Sequence, residues 1–174
     1  MKHLPSFRYW FLALSLLLFA GLAHAQQDPA QRPSPPATAT GKAGKANVTI
    51  KYSSPAVKGR KIFGGLEPYG KVWRAGANEA TTVTFDQPVT VEGKALPAGT
   101  YAFFVIPTEK EWTIIFNKTA NQWGAFKYDE KQDALRATVM PRKAASLTER
   151  LAYTVESPGF VLRWENVELP VAVK

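Results

Sequence analysis

The sequence predicts an all-β domain: an antiparallel β-sandwich of the jelly-roll or Greek-key kind, with about nine strands and little helix. Three observations lead there. Short runs of alternating apolar and polar residues recur along the chain from residue 47 onward. Gly, Pro, Asn and Asp break these runs at near-regular spacing. No long stretch carries the 3.6-residue period of an amphipathic helix.

The chain opens with a segment that has the composition of an export signal. Lys2 and Arg8 give a positive start, Tyr9 to Leu22 is apolar and uncharged, and Ala23-His24-Ala25 matches the small-x-small pattern cut by signal peptidase. Residues 1–25 are therefore expected to be a cleaved signal peptide. Its apolar stretch is shorter than the ~20 residues a spanning helix needs, so no membrane span is expected. The destination is the periplasm or the exterior.

Residues 26–46, QQDPAQRPSPPATATGKAGKA, are rich in Pro, Ala, Gln and Gly. That composition is expected to form a disordered leader. A single β-sandwich domain is expected over 47–174.

The strands expected in that domain are Val48–Tyr52, Thr81–Phe85, Val89–Glu92, Thr100–Ile106, Trp112–Asn117, Leu135–Val139, Arg150–Val155, Phe160–Trp164 and Val167–Val173. Thr100–Ile106 and Trp112–Asn117 are apolar on both faces, which suits central strands. The short polar link Pro107–Glu111 makes them a hairpin. Turns are expected at Glu92-Gly93-Lys94 and at Leu96–Gly99, and a short helical turn at Lys143–Glu149.

Composition then limits chemistry. The chain has no cysteine and two histidines, His3 and His24, both inside the expected signal. The exported protein would thus lack imidazole and thiol, which excludes Ser-His-Asp and Cys-His catalysis, disulfides and the usual zinc or copper sites. No cofactor or metal is expected. The net charge is +8, or +6 once Lys2 and Arg8 leave with the signal. The basic residues form no long run, so no nucleic-acid partner is expected. A weak attraction to an anionic envelope surface and plain solubility are both consistent with this charge.

Two glycine-rich stretches concentrate the residues that could recognise a ligand. Lys58–Ala80 packs Arg60, Trp73, Arg74, Asn78 and Glu79 among its glycines, and Asn117–Asp129 brings Asn117, Lys118, Gln122, Trp123 and Tyr128. Structured loops on a rigid sheet are where binding sites tend to lie. Arg60, Trp73, Arg74, Asn78, Glu79, Asn117 and Trp123 are the candidate ligand-binding residues, with a small molecule or glycan as ligand. Flat aromatic faces can stack on sugar rings, and Asn, Arg and Glu can bond hydroxyls. The same residues, read as a buried, hydrogen-bonded Arg–Glu–Asn cluster, would instead hold the long loop in shape, and this is the stronger of the two readings. Trp112 and Trp164 lie within strand patterns and belong to the core.

The stretches KGRKIFGGLEPYGKVWRAGANEATTVTF, LPAGTYAFFVIP, WTIIFNK and QWGAFKYD closely resemble the domain of unknown function 2911 (DUF2911) family. The resemblance runs from about Asn47 to Pro141, or on to the C-terminus. It implies an exported bacterial protein with a β architecture, and it brings no catalytic residues.

Catalysis remains an alternative reading. A carboxylate-dependent hydrolase of envelope polysaccharide would need Glu79 paired with Glu67 or Asp129 across a cleft of about 5–9.5 Å. An Arg beside Glu79 would lower its pKa, the wrong direction for a general acid. A pocket-free interaction module is the third reading. Asp129, Glu130 and Asp133 form a small acidic group without EF-hand spacing, which suits a solvated loop better than Ca²⁺.

Overall fold

The computed structural model describes residues 31–174. The expected signal at 1–25 and the start of the expected leader lie outside the described residues. Ten strands follow in order: β1 Pro36–Ala43, β2 Ala46–Ser53, β3 Thr82–Phe85, β4 Val89–Val91, β5 Lys94–Leu96, β6 Gly99–Ile106, β7 Trp112–Asn117, β8 Asp133–Val139, β9 Arg142–Glu156 and β10 Gly159–Ala172. Six of them make one antiparallel sheet in the order β1-β2-β3-β6-β7-β8, while β4–β5 and β9–β10 are separate hairpins. Sheet neighbours are therefore sequential, apart from the excursion through β4–β5 between β3 and β6.

The arrangement is sandwich-like. The inward side chains of the sheet (Val48, Ile50, Val83, Phe85, Phe103, Val105, Ile114, Phe116) share one core with Leu151, Tyr153, Phe160, Leu162 and Trp164 of the long β9–β10 hairpin. Each fully buried Phe in this set contributes about 1.5–3 kcal/mol by leaving water. The expected β6–β7 hairpin is present, with Val105 opposite Ile114. The expected turn at Glu92-Gly93 is present too. Both residues have positive φ, 47° and 80°, the backbone of a two-residue hairpin turn whose twist suits its strands.

Three expectations are corrected. The first is the leader, because residues 36–43 are strand β1 rather than disordered chain. The segment PATATGKA alternates small inward residues with outward Thr and Lys and pairs along its whole length with β2, from Pro36 opposite Ser53 to Ala43 opposite Ala46. Small residues are needed here because β1 presses on β9: a Cβ on Gly41 would sit 2.9 Å from that of Val155. The domain thus starts before residue 47.

The second correction concerns Lys143–Glu149, which lie in β9 and not in a helical turn. Pairing with β10, such as Lys143 opposite Val167, overrides the local helical bias of Ala-Ala-Ser-Leu. Finally, the two strands expected at 160–164 and 167–173 are one strand, β10. It is broken in pattern only by register shifts around Glu165, which has a φ of 55°. The three-residue β5 was too short to stand out.

Candidate functional site

The two glycine-rich loops meet. The stretch 72–74 runs beside β6, where Trp73 and Val105 exchange both backbone hydrogen bonds, 2.8 and 2.9 Å. The chain then makes a bulge through residues 75–80 before entering β3. Ala75 and Asn78 hold left-handed φ values of 52° and 57°. The Ala75 carbonyl, at the base of the bulge, accepts from Thr81 Oγ1 (2.9 Å) and from the Tyr153 hydroxyl (2.7 Å).

The second loop lies alongside this bulge as a short ribbon. Ala80 N donates to Gln122 O and Gly124 N to Asn78 O, both at 3.0 Å, which brackets an antiparallel bridge between Glu79 and Trp123. Beneath the ribbon lies a second, smaller core on the outer face of the sheet. There Ala80, Ala102, Phe104 and Ile115 are buried under Val72, Ala125 and Tyr128.

This cover stops short of β1–β3 and leaves a groove of about 530 Å³. Its base is the row Thr38, Lys51 and Thr82, which face each other across three strands. Asn121, Gln122 and Trp123 rise on one side, and Glu79 and Ser53 stand at the end. Trp123 is 56% exposed. Gln122 donates its amide to Thr119 O at 2.7 Å, while its Oε1 is buried with no partner among the described residues.

Glu79 is held ionised. Partial burial pushes its pKa up, but the hydrogen bond and charge of Arg32, helped by Ser53, bring it below the ordinary value. The Arg32–Glu79 distance is 2.8 Å. The lowering expected from an adjacent arginine is therefore present, and its source is Arg32, not Arg74.

The seven candidate residues do not form one site. Glu79 and Trp123 line the groove. Asn78 braces it, its amide donating to the Ser34 carbonyl at 3.1 Å. Arg74 faces a separate cleft on the other side of the ribbon. Arg60 is tied to its own loop through the carbonyls of Val57 and Ala56, at 2.9 and 2.6 Å.

Two of the seven belong to the protein's framework. Trp73 is only 4% exposed, stacks on Trp164 with ring centroids 5.6 Å apart, and donates its indole N–H to Gly76 O. A glycine-flanked loop position suggested an open face, but the loop turns this ring inward. Asn117 is fully buried and ties down the second loop: its amide donates to Asp129 O and Asp133 Oδ1, and its Oδ1 accepts from Thr119 N. Trp112 and Trp164 are in the core as expected.

Sequence reasoning missed the β1 and β2 contributions, Thr38 and Lys51, and also Arg32. The alternation T-A-T on β1 was the available signal, masked by the surrounding prolines. The acidic group is dispersed among separate tasks. Asp129 caps a single 3₁₀ turn at Glu130–Gln132, Glu130 pairs with Arg136, and Asp133 accepts from Asn117 and Tyr128.

The cleft beyond the ribbon, about 270 Å³, is lined by Glu67, Val72, Trp73, Arg74, Ala125 and Phe126. Burial raises the Glu67 pKa from 4.5 to about 7, against the opposing charges of Arg74 and Arg60. Between those two values the native state keeps a proton that the unfolded chain has released. Glu67 therefore destabilises the fold increasingly as pH rises through that window. Glu67→Gln is expected to be more stable than the parent at pH 8 by about 1–2 kcal/mol, allowing for partial exposure, and level with it near pH 4.5. Urea melts at the two pH values measure this difference.

The molecule is thus an all-β, sandwich-like domain with loops from one face forming a grooved flank. The chain belongs to the family described as "Protein of unknown function (DUF2911)", whose model matches residues 34–173. The matched region begins two residues before β1, in agreement with the revised domain start. No curated protein and no solved structure matches the chain.

Proposed function

We propose that this protein is an exported, non-catalytic binding module that takes a glycan or a similarly hydroxylated small molecule in the groove beside Trp123. One observation carries the reading: a solvent-facing indole, Trp123, stands at a groove that Thr38, Ser53 and Thr82 line with hydroxyl side chains. An aromatic face offers stacking area beside groups that bond a ligand's own hydroxyls. Thr38, Ser53 and Thr82 add hydroxyls, while Lys51 and ionised Glu79 bond polar groups of either character. The composition of residues 1–25 supports export to the periplasm or the exterior.

The hydrolase alternative has less support. Glu79 and Glu67 line different clefts, and Asp129 spends a carboxylate oxygen on Lys131 N as a cap. A pocket-free interaction surface is favoured by no observation at the groove.

The test uses a convenient asymmetry. Among the described residues Trp123 is the one exposed tryptophan, while Trp73, Trp112 and Trp164 are buried. Glycans retained on an array should protect the protein's fluorescence from acrylamide quenching. Trp123→Ala should weaken their retention at least tenfold, about 1.4 kcal/mol, with its melting temperature unchanged. Equal retention by the variant, or no retained glycan at all, would reject the reading.

A further inference from the structure

Arg74 stands in the cleft beyond the ribbon. It forms no ion pair with any described residue, and its Nε is buried without a hydrogen-bond partner. The side chain as a whole is half-buried, so part of its guanidinium is left free to meet a ligand. The guanidinium is also held in place. A Cβ on Gly124 would lie 2.7 Å from Arg74 Nη1 and 3.0 Å from the Phe126 ring, so both groups converge over the same glycine. Gly124 has a φ of 66° and is buried, and it is fixed by its hydrogen bond to Asn78 O.

Around this point the lining is apolar. Val72, Trp73 and Ala125 form the walls, and Phe126, 84% exposed, stands at the mouth. A phenylalanine this exposed on an otherwise anchored loop leaves an aromatic face for a second ring. The carboxyl that lines the cleft, Glu67, makes no ion pair with Arg74.

The geometry points to a second binding site, separate from the Trp123 groove: a cleft that takes an organic carboxylate with a flat apolar body. The ligand carboxylate pairs with the Arg74 guanidinium, and its ring lies against Phe126. Glu67 sets the condition for occupancy. Desolvation raises its pKa to about 7, and the charged groups that face it are Arg74 and Arg60. When protonated it adds no competing charge and can donate a hydrogen bond to the second carboxylate oxygen, while above that pH it repels the ligand.

Benzoate is the probe, with benzamide as its neutral counterpart and inorganic phosphate as an anion without a ring. Binding is read by the backbone amide signals of residues 72–74 and 124–126 in ¹H–¹⁵N correlation spectra. Benzoate should shift these signals and bind about tenfold more tightly at pH 6 than at pH 8, the change in the protonated fraction of a group titrating near 7. Benzamide and phosphate should not reproduce this. Arg74→Gln should abolish the shifts. Glu67→Gln, which keeps a neutral donor, should bind equally at both pH values and as tightly as the parent does at pH 6.

The site is rejected if benzoate leaves those amides unmoved, if phosphate matches it, or if Arg74→Gln retains the response. Should Arg74→Gln fail to fold, the Glu67→Gln profile decides: persistent pH dependence in that variant overturns the proposal. None of these results depends on glycan binding, so failure here and failure of the groove are distinguishable.

Discussion

Replacing Trp73 with Ala should cost the fold about 3–5 kcal/mol, whereas Trp123→Ala should change stability by no more than about 0.5 kcal/mol. Both tryptophans sit next to glycines in the two loops, and their sequence surroundings do not separate them. Their environments do. Trp73 lies in an aromatic group with Phe63, Trp112 and Trp164, with Phe63 edge-on at 5.7 Å and Trp164 stacked at 5.6 Å. Truncation would leave a ring-sized cavity between the sheet and the β9–β10 hairpin, and it would strand the Gly76 carbonyl that the indole N–H satisfies. The neighbouring rings are themselves fully packed, so the hole cannot close by small shifts. Denaturant melts of the two variants, compared at one pH, provide the check. A Trp73→Ala protein as stable as its parent would overturn the assignment of this ring to the core.

Asn117→Ala should lose about 3 kcal/mol and also disorganise the Trp123 loop. Three hydrogen bonds meet at this one fully buried side chain, and Ala leaves the Asp129 carbonyl, the Asp133 carboxylate and the Thr119 amide short of a partner. The carboxylate is the costliest of the three, since its remaining partners are the Tyr128 hydroxyl at 2.6 Å and the more distant Arg136 at 3.7 Å. The loop from Lys118 to Tyr128 is anchored at this knot and at the Glu79–Trp123 bridge. Weakening the knot should raise amide hydrogen exchange across 118–128 while β6 stays protected. Unchanged exchange in that segment would show that the bridge alone holds it. Asn117→Asp, by contrast, would replace a donor with a second carboxylate facing Asp133 and should be worse than Ala.

The fold was largely legible because the strands that build the core carry a clear pattern. Val83 and Phe85 alternate with Thr82 and Thr84, and β6 and β7 are apolar on both faces because each lies between the main core and the smaller outer core. Where reading failed, the stabilising interaction lay far away in sequence. Strand β1 is built of Ala, Thr and Gly, which bury little surface by themselves. It is ordered by the backbone ladder to β2 and by close contact with β9, more than 100 positions away at Gly41–Val155. Composition carries no trace of such a contact. Residues 143–149 failed for the same reason, since their conformation is set by β10.

For the site, the two loops were found and their pairing was not. Density of Arg, Asn, Glu and Trp among glycines marked the right segments. Which side chains point inward, however, depends on left-handed turns at Ala75 and Asn78 and on the direction of the bulge. Alanine gives no sign of such a turn, and asparagine, though it tolerates one, marks it less firmly than glycine. The seven residues consequently divided among a groove, a second cleft and the interior.

The place of β1 also determines what the smallest working piece of this protein is. A fragment begun at Asn47, where the composition changes, would remove the β1 part of the groove's base and Arg32, the partner of Glu79. It would also bare the hydrogen-bonding edge of β2 along the full length that β1 now covers. An uncovered strand of that length is an invitation to pair with another chain. A minimal expression fragment should therefore begin ahead of Arg32, with residues 32–35 kept attached to β1.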